Sequence, residues 1–324
     1  MRAINDPTTL SERLALTAEV EALTNDLGNL DLSYRVAYRR AGALMESGDP
    51  VGAERALARC ELLALQLRVP FLNYDAKVAR AGWSLMRGLP EAEQQALSAF
   101  ELGTSLGRQA RAGDTLALQL GEIRYRQGRL AEMADTVRAY AQSLPNTPAQ
   151  VALVFVYCVS DLLTEARQQF DLLAAQAFDL PLDTGWVGSM FLLAEACGAL
   201  RDPRAARLMY PKIEPLAEQV GVLGIFLRCD GSLAHAAGVL AACMQHWEDA
   251  ERHFEHAVAM NDRLGARPAA VRTRRAYAAM LLDRNAPGDQ PRAAELITAA
   301  LAETAQLDMS AEAAKLHRLR ARLS

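Results

Sequence analysis

Aromatic residues make up only 6% of this 324-residue chain. That scarcity speaks against an interior built from sheets, which aromatic and β-branched side chains usually fill. Long apolar runs are missing as well. The longest, Val151 to Val159, is too short to span a bilayer. The opening MRAINDPTT has no apolar signal core. We therefore expect a cytoplasmic protein with no membrane partner. Neither sign of charge dominates, with 35 basic and 39 acidic residues intermixed. Without a broad basic field, no direct nucleic-acid contact is expected. The five cysteines, Cys60, Cys158, Cys197, Cys229 and Cys243, are odd in number and include no C-x-x-C. Most fall on apolar helical positions, which suits buried, reduced thiols better than a disulfide framework. No G-x-x-x-x-G-K-[ST] phosphate loop, nucleotide-cyclase motif or terminal helix-turn-helix is recognisable, and no serine has a nucleophile context. The chain is accordingly read as not an enzyme, with no cofactor and no metal.

What the chain does have is small and large apolar residues at helical spacing. Asp6-Pro7 and the Thr9–Glu12 capping box open a first helix, along which Leu10, Leu14, Val20, Leu23 and Leu27 trace one apolar face. Gly28-Asn29 ends it, so residues 1–30 read as an N-terminal capping helix. A two-helix unit then recurs. Its second helix carries a residue, usually small, then mostly apolar ones four and seven positions later, all on one stripe. The triplets are Ala53, Leu57, Cys60; Ala92, Ala96, Ala99; Met133, Val137, Tyr140; Ala166, Phe170, Leu173; Ala205, Met209, Lys212; Ala250, Phe254, Ala257; and Ala293, Ile297, Ala300. Turns such as Ser47-Gly48-Asp49-Pro50 and Arg201-Asp202-Pro203 separate the helices.

The pattern resembles the tetratricopeptide repeat (TPR), although its period of about 40 residues exceeds that family's ~34. Ala117, Leu120, Gly121, Met133, Val137, Tyr140 and Pro145 fall at its signature spacings, as do Gly238, Ala250, Phe254 and Ala257. His246–Leu282 and Pro287–Met309 also look like the C-terminal helical-repeat region of bacterial multidomain signalling ATPases, adenylate cyclases and LuxR-type regulators. The similarity extends to Asp6–Leu23, Arg126–Met133 and Ala194–Tyr210. The resemblance implies an all-α, right-handed α-solenoid of about seven TPR-like helix hairpins, with residues 31–324 forming one continuous domain. Pro211 and Pro215 should interrupt one second helix. Val220–Ser232, with two glycines, should follow as an irregular apolar connection, either packing over the core or acting as a flap on a ligand.

His246, His253 and His256 lie close in sequence, but they flank the packed stripe and read as surface residues rather than metal ligands. Carboxylates are expected on exposed faces, paired with arginines at i,i+4. In a solenoid the first helices line a concave groove, which nominates Arg35, Tyr38, Tyr74, Lys77, Glu122, Tyr125, Phe155, Met190 and His235, with Val151, Cys158 and Cys197 beside them. The reading is a non-catalytic scaffold and sensor module of a bacterial signalling or transcription-regulatory system. It would bind a protein, a peptide or a small-molecule effector. Two alternatives stay open: an enzyme or biosynthetic accessory factor with a small-molecule site in the groove, and an oligomerisation domain forming a homo-oligomer.

Overall fold

The computed structural model describes residues 6–143 and 147–323, apart from the side chains of Asn25 and Thr147. Most of the chain is helical. The α-helices are α1 Leu10–Leu27, α2 Leu30–Glu46, α3 Pro50–Leu67, α4 Pro70–Arg87, α5 Ala92–Ser105, α6 Gln109–Arg126, α7 Ala134–Ser143, α8 Thr147–Val159, α9 Leu163–Ala174, α10 Trp186–Leu200, α11 Pro203–Ile213, α12 Leu233–Cys243, α13 Trp247–Leu264, α14 Arg267–Arg284, α15 Asp289–Thr304 and α16 Ser310–Arg320. They pack on neighbours in sequence order, α2 on α3, α12 on α13 and α14 on α15 most extensively. No described helix is long and apolar enough to cross a membrane.

Local chemistry explains the punctuation. Asp49 accepts from the Gly52 amide and Pro50 opens α3, so the chain turns sharply after Gly48. Asp202 and Pro203 do the same for α11, with Arg201 in the left-handed region where other turns carry glycine. The packing stripes follow the expected register: Ala53, Leu57, Cys60, Ala166, Phe170, Leu173, Ala250, Phe254, Ala257, Ala293, Ile297 and Ala300 are all buried, as are Ala92, Ala96 and Ala99. Phe254 packs on Gly238, where a Cβ would stand 2.9 Å from its ring. The third unit departs. A 3-10 turn, Leu130–Met133, replaces the start of its second helix, Met133 and Val137 are only half-buried, and Tyr140 is 38% exposed. Pro145 lies outside the described residues.

Three further expectations need correction. Asp6, not Thr9, caps the N-terminal turn, accepting from the Thr8 amide. Of the segment 1–30, residues 1–5 lie outside the described residues, and α1 does not bury its whole apolar face: Leu10 is buried, but Leu23 is 54% and Leu27 75% exposed. Among the described residues α1 packs chiefly on α2, which leaves its other side open. The third correction concerns 220–232. Pro211 sits inside the short α11, and a 3-10 turn follows at Glu214–Leu216. The chain then forms an antiparallel hairpin, β1 Val220–Leu223 and β2 Arg228–Ser232. It pairs Val220 with Ser232 and Leu223 with Arg228 around a bulge at Gly221/Val222.

This hairpin organises the molecule. It contacts α2, α4, α10, α12, α13 and α14, helices from both ends of the chain. Its turn residue Phe226 is fully buried at φ 61° and packs on Trp83, ring centroids 5.6 Å apart. A Cβ on Gly82 would lie 2.0 Å from the Phe226 carbonyl oxygen, so only glycine lets α4 approach that closely. Gln119 donates to the Leu227 carbonyl at 3.0 Å. Beyond the hairpin, α4 meets α14 and α6 meets α16. The hairpin thus lies among helices from both ends of the chain.

Candidate functional site

The nominated inner residues divide into three groups. Glu122, Tyr125, Phe155 and His235 lie in or against a buried polar centre contributed by α6, α10, β2, α12, α14 and α16. Glu122 pairs with Arg126 at 3.0 Å and with Arg272 at 3.6 Å. Arg228 pairs with Asp230 at 2.9 Å, and Arg272 donates to the Asp230 carbonyl at 3.3 Å. The Tyr125 hydroxyl donates to Glu312 at 3.1 Å, and Glu312 also takes Arg275 at 2.5 Å and Lys315 at 2.9 Å. His235 stands between Glu195 Oε1, at 2.6 Å, and Thr273 Oγ1, at 3.1 Å, its ring stacked on Phe191. The Phe155 ring tilts against Tyr125 at 5.3 Å.

The charges in this centre tune one another. Burial acts to raise the Glu122 carboxyl, but Arg272, Arg126 and Arg228 more than reverse it and hold it below its usual range. At Glu195 burial is likewise outweighed, by His235, Arg275 and Arg272, and the carboxyl sits well below the ordinary value. Glu312, buried but facing Arg275 and Lys315, is pulled down to about 2. Burial raises Asp230 against the pull of Arg228 and Arg272. Each of these four carboxylates is engaged by a guanidinium, so the centre is chemically quiet. What it does is tie α6 to α14 and α16 across the chain. Arg126 adds a 2.7 Å bond to the Leu85 carbonyl.

The second group packs between neighbours. Tyr74 is buried with its hydroxyl 3.3 Å from Thr115 Oγ1, and Lys77 reaches Ser98 Oγ at 3.3 Å. Met190 belongs to the central hydrophobic cluster, with Val151, Cys158 and Cys197.

The third group, Arg35 and Tyr38, borders open space. A cavity of about 340 Å³ lies between α1, α2, the segment 183–187 and the hairpin turn. Its walls are largely apolar, and Arg13, Arg35, Arg39, Glu46 and Asp183 are its charged lining. A smaller cavity of about 200 Å³ shares Arg35, Arg39 and Ile225 and continues to Tyr34, Tyr38 and Asp75. Tyr34 and Tyr38 stack at 5.8 Å. Burial pushes the Asp75 carboxyl up to about 6, against the pull of Arg111 and Arg108. The roof, α1, is held chiefly by polar contacts. Arg13 donates to Glu46 at 2.9 Å, and Glu21 pairs with Arg40 at 3.1 Å and Arg59 at 3.3 Å.

Glu195, Arg272, Arg275 and Glu312 were not singled out by the sequence, nor were the cavity residues Arg13 and Arg39; Asp230 and Ile225 lie in Val220–Ser232, which the sequence offered as a core-covering connection or a flap. The expectation of exposed carboxylates fails at the buried centre because long-range pairing there replaces solvent. His253 is also buried, its Nε2 3.0 Å from the Tyr210 hydroxyl, rather than on the surface; His246 is exposed. Among the described residues no group of three or more His, Cys, Asp or Glu is arranged to hold a metal ion. The cysteine thiols are free, and burial pushes those of Cys60 and Cys229 up to about 12. In comparisons with known proteins, the chain matches no family model and no curated protein.

Proposed function

We propose that this chain is a non-catalytic sensor module that binds a small-molecule effector in the cavity between α1, α2 and the hairpin turn. One observation carries the reading. The β-hairpin Val220–Ser232 packs among α2, α4, α10, α12, α13 and α14, where a peptide in a TPR-like groove would have to lie, while a cavity of about 340 Å³ stays open between α1, α2 and the hairpin turn. That volume falls within the usual range for small-molecule sites. The mutual pairing of Glu122, Glu195, Asp230 and Glu312 with arginines supports a non-catalytic role, since a general acid or base needs a proton-exchanging group open to substrate.

The finer architecture we propose is a right-handed solenoid of about seven TPR-like hairpins wound around its own β-hairpin. A bound state would pass through the hairpin, whose turn borders the cavity and whose second strand enters the charged centre. The bacterial signalling setting, with an attached or separate effector domain, rests on the sequence resemblance. The test is a thermal-shift screen of metabolites on the intact chain and on Gly42→Leu, which places a side chain in the cavity. Compounds that raise Tm in the parent and not in the variant support the reading. Stabilisers that act equally on both overturn it.

Assembly through the N-terminal end is a second reading, favoured by Leu23, Leu27, Leu30, Leu62 and Leu65, all exposed near α1 and α3. It predicts a mass that rises with concentration in light scattering, and loss of that rise in Leu27→Lys.

A further inference from the structure

We infer that the effector is an aliphatic monoanion, a straight-chain carboxylate whose tail fills the larger cavity and whose head pairs with Arg39; this rests on the reading of that cavity as the binding site. Three features point to this class. The first is the wall. Leu16, Val20, Leu32, Val36, Val187 and Ile225 are aliphatic, and among the described residues no aromatic side chain lines the cavity. Flat ring systems are usually held by stacking on rings. A methylene chain requires only an apolar, water-free envelope.

The second feature is the charge at the rim. Arg13 is committed to Glu46, Arg35 to Asp31 at 2.8 Å, and Asp183 to the Gly185 amide at 2.8 Å. Arg39 makes no ion pair or hydrogen bond with any described residue. It is exposed and stands where the two cavities meet, so one guanidinium faces the mouth with its donors unengaged. A carboxylate can take a guanidinium in paired hydrogen bonds.

The third feature is the far side of that mouth. Beyond Arg39 the smaller cavity ends at Asp75 and the Tyr34–Tyr38 stack. A second anionic group there would face Asp75, whose carboxyl is already paired with Arg111 at 3.2 Å and offers it no free donor, so the ligand carries its charge at one end only. The larger volume, near the lower limit for ligand pockets, suits a medium-length chain.

The test is calorimetric titration of the full chain with decanoate, decanol, decyltrimethylammonium and naphthoate, each below its aggregation threshold. We expect single-site decanoate binding at least about tenfold tighter than decanol, as a charge-assisted pair requires, with decyltrimethylammonium weakest. Arg39→Ala should bring decanoate to the level of decanol. Gly42→Leu should remove both, because a Cβ there meets only the Ile225 side chain and backbone, the nearest atom at 3.6 Å, and the added chain enters the cavity. Circular dichroism should be unchanged in both variants. Equal binding of decanol and decanoate, or tighter binding of naphthoate, overturns the ligand class while the cavity remains a site, provided Gly42→Leu abolishes it. Binding of none of the probes also overturns the class, and the metabolite screen then decides the broader reading. Decanoate binding that survives Gly42→Leu overturns both.

Discussion

Two regions of this molecule use the same residue types to opposite ends. In the centre, Arg126, Arg228, Arg272 and Arg275 are matched by Glu122, Asp230, Glu195 and Glu312, all buried except the half-buried Arg275 and Glu195. At the N-terminal end, Arg13, Arg35 and Arg39 border space that no described side chain fills. Ion pairing of every carboxylate turns the first set into a clasp that links α6 to α14 and α16. Incomplete pairing leaves the second set with an arginine available to something else. A high local density of charge therefore does not mark a binding site here. What marks one is a charge without a partner next to unfilled apolar volume.

The comparison can be broken most severely at the centre. Arg272→Ala should destabilise the chain by about 3–5 kcal/mol, because Glu122 loses one of its guanidinium partners inside a low-dielectric interior. Urea denaturation measures this, and a loss below about 1 kcal/mol would mean that the network is solvated. Glu312→Gln should cost about 2–3 kcal/mol at pH 7. Its carboxyl is depressed in the folded chain, so its stabilisation is present above the unfolded carboxylate range and disappears as pH falls towards about 2. The gap between parent and variant should therefore close over that acid interval.

Asp75, beside the smaller cavity, should behave in the opposite sense. Its folded pKa of about 6 lies above the unfolded value of 3.8, so its favourable contribution is present below pH 4 and is lost as pH rises through 6. Asp75→Asn should thus stabilise the chain by about 1–2 kcal/mol at pH 7.5 and leave it unchanged near pH 4. Melting curves at the two pH values check the sign. The smallest effect is expected at Arg39, where Ala should shift Tm by no more than about 2 °C. A large fall would show that Arg39 supports the fold rather than a ligand.

Much of the helical framework was legible in the residues. The stripes of Ala53, Leu57 and Cys60 or Ala250, Phe254 and Ala257 declare a buried helix face because close helix approach demands small residues at that spacing. Asp-Pro pairs at Asp49 and Asp202 declare helix starts. The hairpin was not legible for a physical reason. Both faces of β2 are buried, so the alternation that identifies a half-exposed strand is absent. Val220 and Val222 flanking a glycine, with Gly224 at the turn, were the available signal. The charged centre was hidden differently. Glu122 and Arg126 have the i,i+4 spacing of a solvent-facing pair, and only the meeting of α6 with β2, α14 and α16 withdraws them from water. Of the nominated residues, Arg35 and Tyr38 border a cavity, whereas Met190 and Tyr74 pack. Spacing identifies the inward face of a helix without saying whether that face meets ligand, hairpin or neighbour.

Hydrogen exchange of the unliganded chain distinguishes a fixed hairpin plug from one that leaves its place. If the hairpin fills the groove and α1 roofs an adjustable cavity, amides of Arg228–Ser232 should exchange as slowly as those of α14. Amides of α1 should exchange at least about a hundredfold faster, through local opening. Hairpin amides that exchange as fast as those of α1 would show that the plug leaves the groove, and would return the binding site to the inner faces of the first helices.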